Sequence, residues 1–160
     1  MEQQSKAFSF SSYQVEESVG YLLSRTKTML SKAVDDSLVD LGITHAQASV
    51  IMMLAIGRCS TAAELARDLF IDAGAMKRML DRLVVKGFLA RTPDVTDKRL
   101  FKLILTEQGR TLAESLPPIY HRNLDIAFTG FSPEEIGFLR SLLKKLLANR
   151  SLFEQTASPE

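Results

Sequence analysis

Two short basic stretches hold the side chains of this chain best suited to chemistry. The first is AGAMKR, Ala73 to Arg78, where Lys77 and Arg78 follow small residues. The second is DVTDKRLFKLILTEQG, Asp94 to Gly109, where Asp97, Lys98 and Arg99 lie in a polar run preceded by Pro93. Cations on uncluttered backbone bind anions, and arginine suits a narrow, negative groove because it is planar and weakly hydrated. Catalytic and metal chemistry lack their residues. His45 and His121 have no Cys, His or carboxylate at ligand spacing, and there is no Gly-rich phosphate loop and no G-x-S-x-G. The reading is a non-enzyme with no cofactor and no metal. Cys59 is the sole cysteine, so no intramolecular disulfide forms, and it is read as a small structural residue rather than a redox switch. Met76 and Met79 are read as core.

Charge placement supports anion binding. The net charge of the 160 residues is only +1, but Ile43 to Leu105 holds ten Lys and Arg against six Asp and Glu, an excess of four, which leaves the remainder at −3. A basic middle flanked by acidic ends suits a polyanion-binding module carried on a separate scaffold. The start, MEQQSKAFSFSS, lacks the apolar stretch of a signal peptide, and the longest nearly apolar run, Ala46 to Ile56, is too short for a bilayer. The expectation is a cytoplasmic protein with no membrane span.

The elements that position these residues follow from periodicity and punctuation. Residues 1–12 form a polar tail without period. From Tyr13 to Leu41 the apolar residues fall on one helical stripe, ended by Gly42. Thr44 caps a very apolar second helix that Gly57 ends. Ser60 to Leu89 reads as two short helices broken at Ile71 and Asp72, with Ser60 or Thr61 capping the first, Glu64 in its first turn, and Asp72 capping the second. In that second helix Met76, Leu80, Leu83 and Gly87 share one face, while Gly74, Lys77, Arg78, Asp81, Arg82 and Val85 lie toward the other. A helix pair of this kind is a helix–turn–helix. Phe88 to Arg91 and Arg99 to Leu105 read as two strands around a Thr92 to Asp97 turn, which places a wing beside it. Thr106 caps a helix interrupted or kinked at Pro117 and Pro118, and Ser132 to Glu135 opens the last helix with a capping box. The stripe Ile136, Leu139, Leu142, Leu143, Leu146 and Leu147 is greasier than one core contact needs, so with the first helix it reads as a dimer interface. The fold class is mainly α with a small β wing. Its divisions are a tail at 1–12, a helical dimerisation region at 13–42 and 106–150, a winged helix–turn–helix domain at 43–105, and a flexible tail at 151–160.

In element order the chain resembles the MarR family of winged helix–turn–helix transcriptional regulators over about Ser18 to Leu147. The resemblance is carried by TAAELARDLFIDAGAMKRMLDRLVVKGFLAR, the D-x-R at Asp97 and Arg99, and the L-T-x-x-G at Leu105 to Gly109. It implies a homodimeric repressor that binds a pseudo-palindromic, double-stranded DNA operator and is released by a small effector, an aromatic carboxylate or a phenolic. It implies that Arg99 enters a minor groove, oriented by Asp97, with Lys98 on adjacent phosphates. Ala73, Gly74, Ala75, Lys77 and Arg78 then meet the major groove. Ala75 and Lys77 stand where members often carry Ser or Thr, which shifts the balance toward phosphate contacts. The resemblance further implies an effector cleft, which Tyr21, Ser24, Arg25 and Thr28 of the first helix and His45 and Ser49 of the second would face. Arg25 with His45 suits a carboxylate, and Tyr21 a stacked ring. Two alternatives stay open on the residues alone: a winged-helix module that holds an acidic protein partner without specific DNA binding, and an activator in place of a repressor.

Overall fold

In the computed structural model, residues 14–93 and 101–156 are described, and helices are joined by one two-stranded sheet. The first helix of the sequence reading is three pieces: a 3-10 turn Val15–Glu17, the helix α1 Val19–Leu38, and a second 3-10 turn Val39–Leu41 that ends at left-handed Gly42. Helix α2, His45–Ala55, starts with a full capping box between Thr44 and Gln47. Helix α3, Ala62–Leu69, starts with another between Thr61 and Glu64, which decides between Ser60 and Thr61 as its cap. The Glu64 carboxylate also accepts from the backbone N–H groups of Ser60 and Thr61, and these bonds, Ser60 first, hold its pKa below the usual carboxylate value.

Helix α4, Ala73–Val85, is capped by Asp72, whose carboxylate accepts from the Ala75 N–H at 2.8 Å. Strands β1, Leu89–Pro93, and β2, Phe101–Leu105, pair antiparallel with Leu89 opposite Leu105 and Pro93 opposite Phe101. Pro93, assigned by the sequence to the turn, ends β1 instead; a strand end tolerates its missing donor. Helix α5 is Glu107–Ala127, α6 is Pro133–Ala148 with the Ser132–Glu135 capping box, and α7 is Arg150–Thr156.

Two local expectations are corrected. Of the two outcomes expected at Pro117 and Pro118, an interruption or a kink, the interruption does not occur, and helix α5 is continuous through the pair. Each proline removes one i to i−4 bond, but Leu112, Ala113 and Leu116 are buried before the pair, and Ile119 and Tyr120 pack on the same core after it. Tertiary burial on both sides outweighs the two lost bonds. The segment assigned as a tail from residue 151 carries helix α7 as far as Thr156.

The chain divides into two compact units, up to Asn123 and from Leu124 onward. The first unit has one core, in which Val34 and Leu38 of α1, Val50 and Ile51 of α2, Leu65 of α3 and the α4 face Met76, Leu80 and Leu83 meet Leu103 and Leu105 of the wing and Leu116 of α5. The last turns of α1 and the first half of α5 therefore belong to the same core as the helix–turn–helix. The second unit contains α6, along which Leu142, Leu146 and Leu147 are exposed. Among the described residues no single helix is long and apolar enough to cross a membrane.

Candidate nucleic-acid interface and effector cavity

The turn from α3 into α4 is made by Phe70 in the left-handed region, φ 55°. An aromatic residue rarely adopts this conformation, and its N–H together with that of Ile71 closes on the Ala66 carbonyl. The sharp reversal sets α4 with Met76, Leu80 and Leu83 inward, so Ala73, Gly74, Lys77 and Arg78 are exposed together at its N-terminal end and Ala75 is partly buried. A Cβ on Gly74 would stand 3.4 Å from Arg78 Nη1 and 3.3 Å from the capping carboxylate of Asp72. Glycine there lets the guanidinium lie close over the first turn of the helix. The positive helix end and two cations share one exposed surface, a physical basis for phosphate binding.

Not every cation of the basic middle is available. Arg58 pairs with Asp68 at 2.9 Å, and Arg91 of β1 pairs with Asp81 of α4. The second pair ties the wing to α4 and removes Arg91 and Asp81 from the open charge count. Asp97, Lys98 and Arg99 lie outside the described residues. The base of the wing that carries them is fixed: Leu103 N–H donates to Ser60 O at 2.8 Å, and Thr106 Oγ1 donates to Gly87 O at 2.6 Å while accepting from Gly109 N–H at 3.0 Å. Gly109 is compulsory in this arrangement because a Cβ would fall 2.0 Å from the Phe88 carbonyl oxygen. That contact gives the L-T-x-x-G spacing its physical meaning.

The residues read as ligand-binding fall into two groups. His45 and Ser49 line a cavity of about 340 Å³ with Lys27, Ser31 and Asp35 of α1 and with Leu69, Phe70 and Ile71 of the α3–α4 turn. Ser24, Arg25 and Thr28 line a separate hollow, where the Arg25 guanidinium lies 5.7 Å from the centre of the Tyr21 ring. Arg25 and His45 are thus not brought into one cavity, and Lys27, two residues further along α1, is the cation in the His45 cavity. Sequence reasoning missed Lys27, Ser31, Asp35 and Tyr120. The first three form an i, i+4 row of α1 that begins three residues after Ser24, a signal that was legible; Tyr120, far off in sequence, gave none.

Around His45 the contacts are specific. Its backbone N–H donates to Asp35 Oδ1, its Nδ1 lies 3.1 Å from Ser31 Oγ, and its ring sits 5.8 Å from that of Tyr120. Burial lowers the imidazole pKa, with Asp35 opposing and Lys27 adding to the effect, and burial likewise raises the Tyr120 phenol. The cavity therefore offers an imidazole held toward its neutral form, hydroxyls, the Asp35 carboxylate and one ammonium beside the apolar Leu69 and Ile71, with the Tyr120 ring against that of His45. Cys59 is buried elsewhere, and burial pushes its thiol up, away from the reactive thiolate. Among the described residues no group of three His, Cys, Asp or Glu is placed to hold a metal ion.

Comparison with known proteins completes the assignment. Residues 41–100 match the model of the MarR family. The multiple antibiotic resistance protein MarR of Escherichia coli is 34% identical over 130 residues, 81% of this chain and 90% of that protein. The chain belongs to the MarR family. It is a winged helix–turn–helix transcriptional regulator of that family, in keeping with the fold expected from the sequence. A crystal structure of an E. coli MarR mutant complexed with operator DNA superposes with a TM-score of 0.75 at 32% identity, covering 81% of this chain and 93% of that one. BpsR of Bordetella bronchiseptica, whose DNA binding is regulated by 6-hydroxynicotinic acid, superposes at 0.74 with 27% identity, covering 84% and 96%.

Proposed function

We propose that this MarR-family regulator acts in the cytoplasm as a homodimer that represses by binding a pseudo-palindromic operator and lets go when a small aromatic acid enters the His45 cavity. The observation that carries the reading is the joint exposure of Ala73, Gly74, Lys77 and Arg78 at the N-terminus of α4, on a chain that superposes on an operator-bound relative. Small residues let the helix approach base edges, and the cations take phosphates. The wing residues Asp97, Lys98 and Arg99 serve the adjacent minor groove. The exposed Leu142, Leu146 and Leu147 of α6, with Val19 and Leu22 of α1, supply apolar surface for the partner subunit.

For the effector, the cavity chemistry favours an aromatic ring against Phe70 and Ile71 and an anionic group at Lys27, with His45 and Ser31 as hydrogen-bonding partners. Ser24, Arg25 and Thr28 line a second hollow, with the Tyr21 ring against Arg25, and serve the same ligand only if the partner subunit closes the gap. The regulation of BpsR by a hydroxylated aromatic acid supports this class of compound.

Selection of bound duplexes from a random DNA pool, repeated with a panel of aromatic acids, tests the reading. Enrichment of an inverted repeat with half-sites about 10 bp apart is expected, with release by at least one acid. An unenriched pool would remove specific DNA recognition and put an acidic protein partner in its place.

A further inference from the structure

The start of α4 adjoins the His45 cavity, and its end is tied by hydrogen bonds to Gly42 and Gln47, on either side of Thr44 and His45 in the chain. At the start, the turn Leu69–Phe70–Ile71 is one wall, and Asp72 then caps the helix. At the end, the helix is C-capped by Lys86, whose Nζ reaches back across the fold to donate to Gly42 O and, at 3.3 Å, to Gln47 Oε1. Gln47 is a buried polar residue at the start of α2, and the same Oε1 accepts from the Thr44 N–H at 3.2 Å. Thr44 and His45 also line the cavity. One amide oxygen therefore joins the α4 C-terminus to the turn that a ligand would touch.

The arrangement is chemically sound in both partners. The ammonium donates to the carbonyl of Gly42, which ends the 3-10 turn Val39–Leu41, and this carbonyl end favours positive charge. Lys86 itself is exposed, and Gln47 Oε1 keeps its Thr44 donor without it, so losing the lysine leaves no buried group stranded. A residue that core packing does not need thus spans two elements 44 residues apart.

We propose that Lys86 is a positioning residue that fixes the angle of α4 and transmits displacement of the Thr44–His45 wall to it through Gln47. The proposal rests on the operator-binding reading given above. In that setting Lys86 touches no DNA. It holds the helix that does, and a ligand that shifts the Thr44 turn loosens the hold.

The test uses the full-length protein with Lys86→Met and Lys86→Arg, on the duplex recovered by the wild type. Lys86→Met is expected to bind a single half-site as the wild type does. It should lose about tenfold on the full operator and lose its preference for that spacing over one lengthened by a base pair, the size of one charge-assisted hydrogen bond. Lys86→Arg, which can still donate to both oxygens, should restore the preference. A merely structural role would weaken half-site and full-site binding together, and that result, or unchanged spacing preference in Lys86→Met, overturns the proposal. Amide hydrogen exchange of the DNA-free protein gives an independent arm. Faster exchange in Lys86→Met at both His45 to Ser49 and Arg82 to Gly87 is expected, and a change confined to the lysine's own turn also overturns it. If the wild type enriches no operator, the DNA reading fails, and the exchange arm alone decides whether Lys86 joins the two elements.

Discussion

Gly109→Ala isolates the contact that seats the wing on α5. A methyl group at this position would sit 2.0 Å from the Phe88 carbonyl oxygen and 3.0 Å from its carbon, so backbone must separate by about 1.4 Å to reach ordinary contact. The movement acts on a tight hydrogen-bonded knot: Thr106 N–H to Phe88 O at 3.1 Å, Thr106 Oγ1 to Gly87 O at 2.6 Å, and Gly109 N–H to Thr106 Oγ1 at 3.0 Å. Overpacking of this kind costs about 1–3 kcal/mol, and weakening two of the bonds adds about 2 kcal/mol. Alanine's better helix propensity offsets about 1 kcal/mol. The net expectation is a loss of about 2–4 kcal/mol. For a chain of this size that lowers Tm by roughly 5–12 °C. Thermal unfolding followed by circular dichroism measures it, and operator binding should fall with it because the wing base moves. An unchanged or higher Tm would refute the reasoning, since propensity alone would then be deciding the position.

Three further outcomes follow from the interface and the cavity. Lys77→Ala removes two phosphate contacts per dimer, so the log–log salt slope of operator binding should become shallower by about 1.8, measured by titration between low and moderate salt. Arg99→Ala should lower operator affinity by about tenfold or more and relax preference for the flanking sequence; a variant that binds like the wild type removes the wing from the interface. His45 is held below its ordinary pKa of 6.5 chiefly by burial, so the unfolded chain takes up its proton first as pH falls. Its contribution to stability is therefore complete above about pH 6.5 and declines as the pH falls from there through the lowered folded value. Urea unfolding of His45→Gln across pH 7.5 to 5 should lack that decline.

What could be read without coordinates was mostly local. The caps Thr44, Thr61, Asp72 and Ser132 bond to N–H groups three residues on, so sequence neighbours carry the information. The inward face of α4 follows from a 3.6-residue period, and Met76, Leu80 and Leu83 are buried as that period requires. The exposed set Ala73, Gly74, Lys77 and Arg78 is the other side of the same pattern.

The sequence by itself therefore determined the order of the elements from α2 to α6, the capped starts at Thr44, Thr61, Asp72 and Ser132, the basic face of α4 and the family. The tertiary structure decided which polar groups meet. It put Lys27 rather than Arg25 beside His45, paired Arg91 with Asp81, carried α5 through Pro117 and Pro118, and joined Lys86 to Gln47. Each of these depends on how elements far apart in the chain pack on the shared core. Local bonds form within a few residues whatever the packing, whereas a side chain's distant partner is fixed only when burial has set the crossing of its helices.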